Sequence, residues 1–243
     1  MNKTNKSLLI IAGIILSILL LSSTYVLFRQ EIPNSGDGRD LNPEDAFTFF
    51  GVGPKTEITR SLRDELRNTL GSDAIETRTT IDLEILYPGF IQEYFPHIHQ
   101  LNKKLNENAR QRIEHNTIKV TFRYIPDKIK SFNYVELLFS NYSRKPLYAK
   151  IRAKNDGIEI LELLKTRYGD PEKIDWGKSE EWSFFWRSHG DILIFSKKPD
   201  KFGNPEYFIM IYYVDNIEDL IEKEDQEKRL QEEEATKQLK RAF

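Results

Sequence analysis

Glu206–Val214 reads EYFIMIYYV, nine residues in which Tyr207, Ile209, Ile211 and Tyr213 alternate with Phe208, Met210, Tyr212 and Val214. Successive side chains of a strand point to opposite faces, and here both sets are apolar, so neither face meets water. The stretch therefore predicts a central strand with paired neighbours on both sides and packed layers above and below. Working back from it, KPDKFGNP (198–205) reads as a turn, and Asp191–Ser196 and Glu181–Ser188 as two further strands separated by His189-Gly190. Hairpin-length connections of this kind make a meander, and a meander with a few helices makes an α+β fold with a mainly antiparallel sheet.

Gly157–Tyr168 is the best-marked helix upstream. Ile160, Leu161, Leu164 and Tyr168 form a stripe, Gly169 supplies the stop, and Pro171 prevents continuation. Further toward the N-terminus, Tyr134–Ser140 and Leu147–Ala153 read as strands joined by NYSRKP. Thr117–Tyr124 alternates, with Ile118, Val120, Phe122 and Tyr124 on one face. Pro96 opens a helix through about Ile113, with Ile98, Leu101, Leu105 and Ala109 inward and Lys103, Lys104, Arg110 and Arg112 outward. Ala74–Leu86 reads as a strand. Thr56–Leu70 reads as a helix through Ile58, Leu62, Leu66 and Leu70, stopped by Gly71. The helix ending Leu70-Gly71 echoes the one ending Tyr168-Gly169, each with a strand after it. The last stretch, Asn216–Phe243, is a charged helix with a thin apolar line at Leu220, Ile221, Leu230 and Leu239, which does not sustain three heptads.

The run LLKTRYGDP (163–171), followed by aromatic strands, resembles a small α+β module of bacterial exported and membrane-anchored proteins, in which a helix ends in Tyr-Gly-x-Pro before an antiparallel meander. The resemblance covers roughly Tyr134–Val214 and rests on Tyr168, Gly169 and Pro171. It implies a bacterial exported context and no activity, so it carries no functional residue.

At the N-terminus, Ser7–Phe28 reads SLLIIAGIILSILLLSSTYVLF, without a charge. At 1.5 Å per residue its 22 residues span about 33 Å, against a bilayer core of about 30 Å. A cleaved signal peptide has a shorter apolar region and a small-residue site. Ser22, Ser23 and Thr24 substitute weakly for that site, and the apolar run continues through Val26, Leu27 and Phe28. The stretch is accordingly expected to be an uncleaved signal-anchor that contacts the lipid bilayer through residues 7–28. Lys3, Lys6 and the amino terminus outweigh Arg29, with Arg39 narrowing the margin, which places residues 1–6 in the cytoplasm and the rest outside. Residues 29–46, rich in turn formers and poor in apolar groups, form the linker. Residues 47–215 form the extracytoplasmic domain, with a sub-boundary considered near 130, and 216–243 the terminal helix.

Composition excludes several classes. With 36 Lys and Arg against 38 Asp and Glu, there is no basic excess to neutralise phosphates, so nucleic acid is not an expected partner. The absence of cysteine removes disulfides, thiolate metal sites and thiol nucleophiles. No nucleophile elbow, His-Glu-x-x-His zinc motif, P-loop or calcium loop occurs. Four histidines, His97, His99, His115 and His189, are the candidate metal ligands. On a strand the first two would share a face, but Pro96 starts a helix, where they point about 200° apart. Glu114 beside His115 and Asp191 beside His189 are the nearest further donors. Glu180-Glu181 reads as solvated charge, PDKFGNPE as a structural turn, and Asn141-Tyr142-Ser143 as a chance glycosylation match. Trp176, Trp182 and Trp186 read as core, with Trp182 and Trp186 on one strand face. No catalytic, cofactor-binding or metal residue is assigned. The expectation is a non-enzymatic, single-pass envelope protein whose domain binds a protein partner or contributes structurally. The competing reading is an envelope hydrolase with a histidine and carboxylate metal site.

Overall fold

Thr59 adopts an extended backbone, and its hydroxyl accepts the Leu62 amide hydrogen at 3.1 Å, so the first helix starts at α1 (Arg60–Leu70), four residues later than its apolar spacing suggests. Ile58 is still buried, but on the approach to the helix rather than within it. The computed structural model describes residues 46–107, 113–126, 131–153, 157–177 and 181–242. The apolar run 7–28 and nearly all of the linker lie outside these residues, as do Ala109, Arg110 and Arg112. No helix among the described residues is long and apolar enough to cross a membrane.

The element order after α1 is β1 (Asp73–Thr79), α2 (Phe90–Tyr94), α3 (Pro96–Leu105), β2 (His115–Phe122), β3 (Phe132–Ser140) and β4 (Pro146–Ala153). Then come α4 (Gly157–Tyr168), β5 (Glu172–Asp175), β6 (Trp182–Ser188), β7 (Asp191–Pro199), β8 (Pro205–Tyr212) and α5 (Val214–Ala242). All eight strands form one antiparallel sheet in the order β1-β2-β3-β4-β8-β7-β6-β5. The fold is α+β, and the strand read first, β8, lies between β4 and β7 with apolar partners on both faces. Pairing of β2 with β3 carries the sheet across residue 130, and the chain from Pro43 onward is one compact unit.

The strand order is palindromic about the β4–β8 seam, and so is the construction. Each half is a helix followed by a four-strand meander. The hairpins β3–β4 and β7–β8 match in strand length, nine residues then eight. Both leading helices end at a glycine in the left-handed region, Gly71 at φ 92° and Gly169 at φ 81°, whose amides bond back to Arg67 and Lys165 carbonyls. Both α1 and α4 pack on the same face, over Val120, Leu137, Ile151, Phe195 and Ile209. The opposite face is covered by α2, α3 and α5, which bury Phe90, Ile98, Leu101, Ile217 and Leu220 against Leu138, Tyr148, Ile194 and Tyr212.

Two expected elements are shorter than their sequence patterns. The β1 ladder slips between Thr77 and Thr79, where Arg78 takes φ 58°, and pairing ends there; residues 80–88 leave the sheet rather than extending the strand to Leu86. The helix expected to reach Ile113 ends at Asn106, whose side chain turns back to the Asn102 and Ile81 carbonyls. Tyr124, expected on one strand face with Ile118, Val120 and Phe122, lies beyond β2 and is exposed. Val214, read as the last residue of β8, instead opens α5.

Candidate functional site

Three side chains of β4 and β7, Lys150, Arg152 and Lys198, stand on the face of the sheet opposite α1 and α4, on either side of the apolar rib formed by Phe208 and Met210 of β8. Register fixes the arrangement: Lys150, Met210 and Ile194 form one row, and Arg152, Phe208 and Ser196 the next. The guanidinium of Arg152 lies 5.7 Å from the Phe208 ring centre and 5.5 Å from that of Tyr134, and the Lys198 ammonium lies 4.8 Å from Phe208. Such contacts hold a cation in place, and two acids share the floor with them, Glu136 opposite Lys150 and Glu206 opposite Lys198 in register. None of the three forms an ion pair among the described residues. The acid opposite Lys150 in register, Glu136, is already engaged: the Tyr134 and Tyr148 hydroxyls donate to its two carboxylate oxygens, the latter at 2.7 Å. Burial and the Glu136 charge raise both phenols above their ordinary range, so both stay protonated donors.

A roof closes over this floor. Residues 82–88, freed where β1 ends, face the cations across a cleft of about 420 Å³ lined by Asp82, Glu84, Ile85, Leu86, Tyr87 and Pro88 above. The roof is fastened from three directions. Asn102 of α3 accepts the Leu83 amide hydrogen at 2.9 Å, Asn106 donates to the Ile81 carbonyl at 3.0 Å, and the fully buried Tyr212 hydroxyl donates to the Leu83 carbonyl at 2.6 Å. The Tyr87 ring packs on Phe90 and Trp176. Leu86 is held at φ 63°, a conformation that costs a branched residue about 1–2 kcal/mol. One polar atom in the roof stays unmatched: Oε2 of Glu84 is buried and has no hydrogen-bond partner among the described residues. The roof thus sets two acids, Asp82 and Glu84, across the cleft from the floor's cations.

The four histidines are dispersed, and three of them are held in separate side-chain bonds. His97 lies on α3, exposed, 3.0 Å from Glu218, and His99, on the same helix, has its Nδ1 buried without a partner. His115 is buried between Glu224, 2.7 Å from Nδ1, and the Leu105 carbonyl, 3.0 Å from Nε2. His189 sits in the β6–β7 turn with its Nδ1 2.9 Å from Ser188. Among the described residues, no three His, Asp or Glu side chains converge as a metal set. Asp191 does not accompany His189; it is buried beneath the start of α5, with Oδ1 accepting the Val214 amide hydrogen at 2.9 Å. Burial pushes its carboxyl up to about 7.

The remaining candidates are structural. Trp176, whose indole donates to Ser183 at 2.7 Å, is buried on the cleft side of the sheet, and Trp186 on the other with Trp182 packed beside it. In the β7–β8 turn, Asp200 accepts the Phe202 and Asn204 amide hydrogens at 2.7 and 2.8 Å, a closed turn with its carboxylate occupied. Asn141–Ser143 form the β3–β4 turn, and Glu180 lies outside the described residues.

Sequence reasoning did not reach the cleft. Its cations belong to strands chosen for their apolar partners, and its roof comes from a segment read as a strand. The available signal was a polar set, Lys150, Arg152, Ser196 and Lys198, interrupting the buried face of two central strands. No protein-family model, curated protein or solved structure matches the chain.

Proposed function

We propose that the protein is a single-pass, membrane-anchored binding protein whose domain lies outside the membrane and holds its ligand in the cleft between the 82–88 roof and the β4–β8–β7 floor. The observation that carries the reading is this preformed cleft, in which Lys150, Arg152 and Lys198 face Asp82 and Glu84 across an apolar rib in a domain otherwise packed on both faces. No described histidine, serine or carboxylate is arranged with a base and an orienting partner, which favours binding over turnover. The uncharged run 7–28 and the positive charges before it support the anchor and its orientation.

Placement is tested by fusing a reporter active only outside the cytoplasm, and separately one active only in it, after Phe243, and by sizing the chain in the membrane fraction. External activity on a full-length, membrane-retained chain is the expected result. Internal activity alone would reverse the orientation, and a shortened, released chain would replace the anchor with a cleaved leader.

A further inference from the structure

We infer that the end of the sheet at which β2, β4 and β7 finish rests on a lipid bilayer, with the apolar tips of its loops set among the headgroups. The inference rests on residues 7–28 being an anchor and adds a second contact with the bilayer, made by the domain itself.

Register defines that end: Phe132, Ala153, Tyr207, Lys197 and Trp182 form one row across β3, β4, β8, β7 and β6. Tyr124 lies just past the end of β2, Phe202 in the β7–β8 turn, and Ile158 in the first turn of α4, where Gly157 packs against Tyr207. They are 85%, 76% and 64% exposed. Phe50, also exposed, joins them through Phe132, with 6.3 Å between ring centres. The turns at the other end, 141–145 and 189–190, expose no large apolar side chain. The remaining exposed apolar residues, Ile75, Leu163, Leu230 and Leu239, are scattered over β1, α4 and α5. Scattered residues of that kind are ordinary on a surface; apolar tips collected at one end suit the boundary between water and acyl chains. Charge does not select this end. Lys198 faces Glu206 in register, and the Asp200 carboxylate is taken by the Phe202 and Asn204 amides, so the contact is apolar and zwitterionic lipid suffices for it. What commits the surface to lipid is the chain before it. The uncharged run 7–28 is followed by a linker, 29–46, that extends at most about 60 Å, so an anchored domain stays beside a bilayer.

The chain has no cysteine, so a single introduced one carries a fluorophore at a chosen place. Full-length chains with Lys201→Cys in the β7–β8 turn, or with Asp170→Cys beyond the other end of β5, are labelled and reconstituted into phosphatidylcholine vesicles containing a headgroup nitroxide lipid. The vesicles are then recovered by flotation. The expected result is that the nitroxide quenches the Lys201→Cys probe about threefold more strongly than the Asp170→Cys probe, and does so equally in high salt. Adding Tyr124→Ser, Ile158→Ser and Phe202→Ser to the Lys201→Cys chain should lower its quenching to the level of the Asp170→Cys probe. All three residues are exposed, so the tryptophan emission of the folded domain should not change. Equal quenching of the two probes, or no loss on the serine substitutions, would overturn the contact and leave the anchor standing. A chain absent from the floated vesicles would overturn the anchor and this inference together.

Discussion

Asp191→Asn should abolish a stability loss that the wild-type protein suffers between about pH 4 and pH 7. Asp191 opens β7 and is buried below the first turn of α5. The Val214 N–H and the helix N-terminus both favour its anion, and Asp215 disfavours it, but burial is the largest effect and moves the carboxyl from 3.8 to about 7. The folded state therefore binds the proton more tightly than the unfolded chain does. Stability from this group is fully present below about pH 4 and is lost as the pH rises through about 7. A difference of that size corresponds to about 4 kcal/mol at most. Asparagine keeps an oxygen for Val214 and removes the ionisation. In urea unfolding of the full chain in micelles, followed by the emission of the buried tryptophans, the variant should match the wild type near pH 4 and exceed it by about 2–4 kcal/mol near pH 8. Any other group titrating in that range is common to both proteins and cancels. A difference that stays constant with pH would refute the reasoning, because a lost or gained hydrogen bond alone carries no such dependence.

Other substitutions test the packing. A Cβ at Gly157 would collide with the buried Tyr207 ring, so Gly157→Ala should cost about 1–3 kcal/mol in urea unfolding, and Tyr207→Leu in the same chain should recover part of it. Tyr212→Phe leaves the Leu83 carbonyl without its buried donor and should cost about 1–3 kcal/mol, while faster amide exchange over residues 82–88 would show the roof loosening. Asp73→Asn removes the anion that Arg63 holds at 2.5 Å and whose carboxyl it keeps below the ordinary range. The wild type draws stability from that pair above about pH 4 and loses it on further acidification, so the two proteins should converge in urea midpoint toward pH 2.

Elements that carry their own terminators were legible in the sequence. Gly157–Tyr168 has its stripe, its glycine and its following proline, and the helix matches to the residue. The double alternation of Tyr207–Val214 placed β8 at the centre of the sheet because an edge strand has no use for two apolar faces. Elements ended by tertiary interactions were not legible. Nothing in Ala74–Leu86 signals that pairing stops at Thr79, since the stop comes from the slip against β2 and the capture of Leu83 by Asn102 and Tyr212. The short β5 was missed because Glu172–Asp175 has one buried residue, Ile174, and is defined by its pairing with β6. The site was hidden for a related reason: Lys150 and Lys198 are 48 positions apart, and only the β4–β8–β7 register sets them around one rib.

The repeat explains why the cleft lies where it does. Two helix-and-meander units meeting at β4 and β8 need no more than a short link between the first and second strands, and the second unit uses one, the six residues from Trp176 to Glu181. The first unit spends the 35 residues from Thr80 to Glu114 at the equivalent place. That insertion covers the part of the sheet face that α5 leaves open, and its first segment stops over the seam as the roof, with a leucine in a costly backbone conformation and a carboxylate oxygen with no partner. A cover whose purpose was burial alone would place apolar residues over apolar residues. This one faces three cations from across a gap of about 420 Å³. Backbone strain and a cluster of charged side chains, gathered in an insertion that the second unit lacks, are the features expected where a fold gives up stability for a ligand.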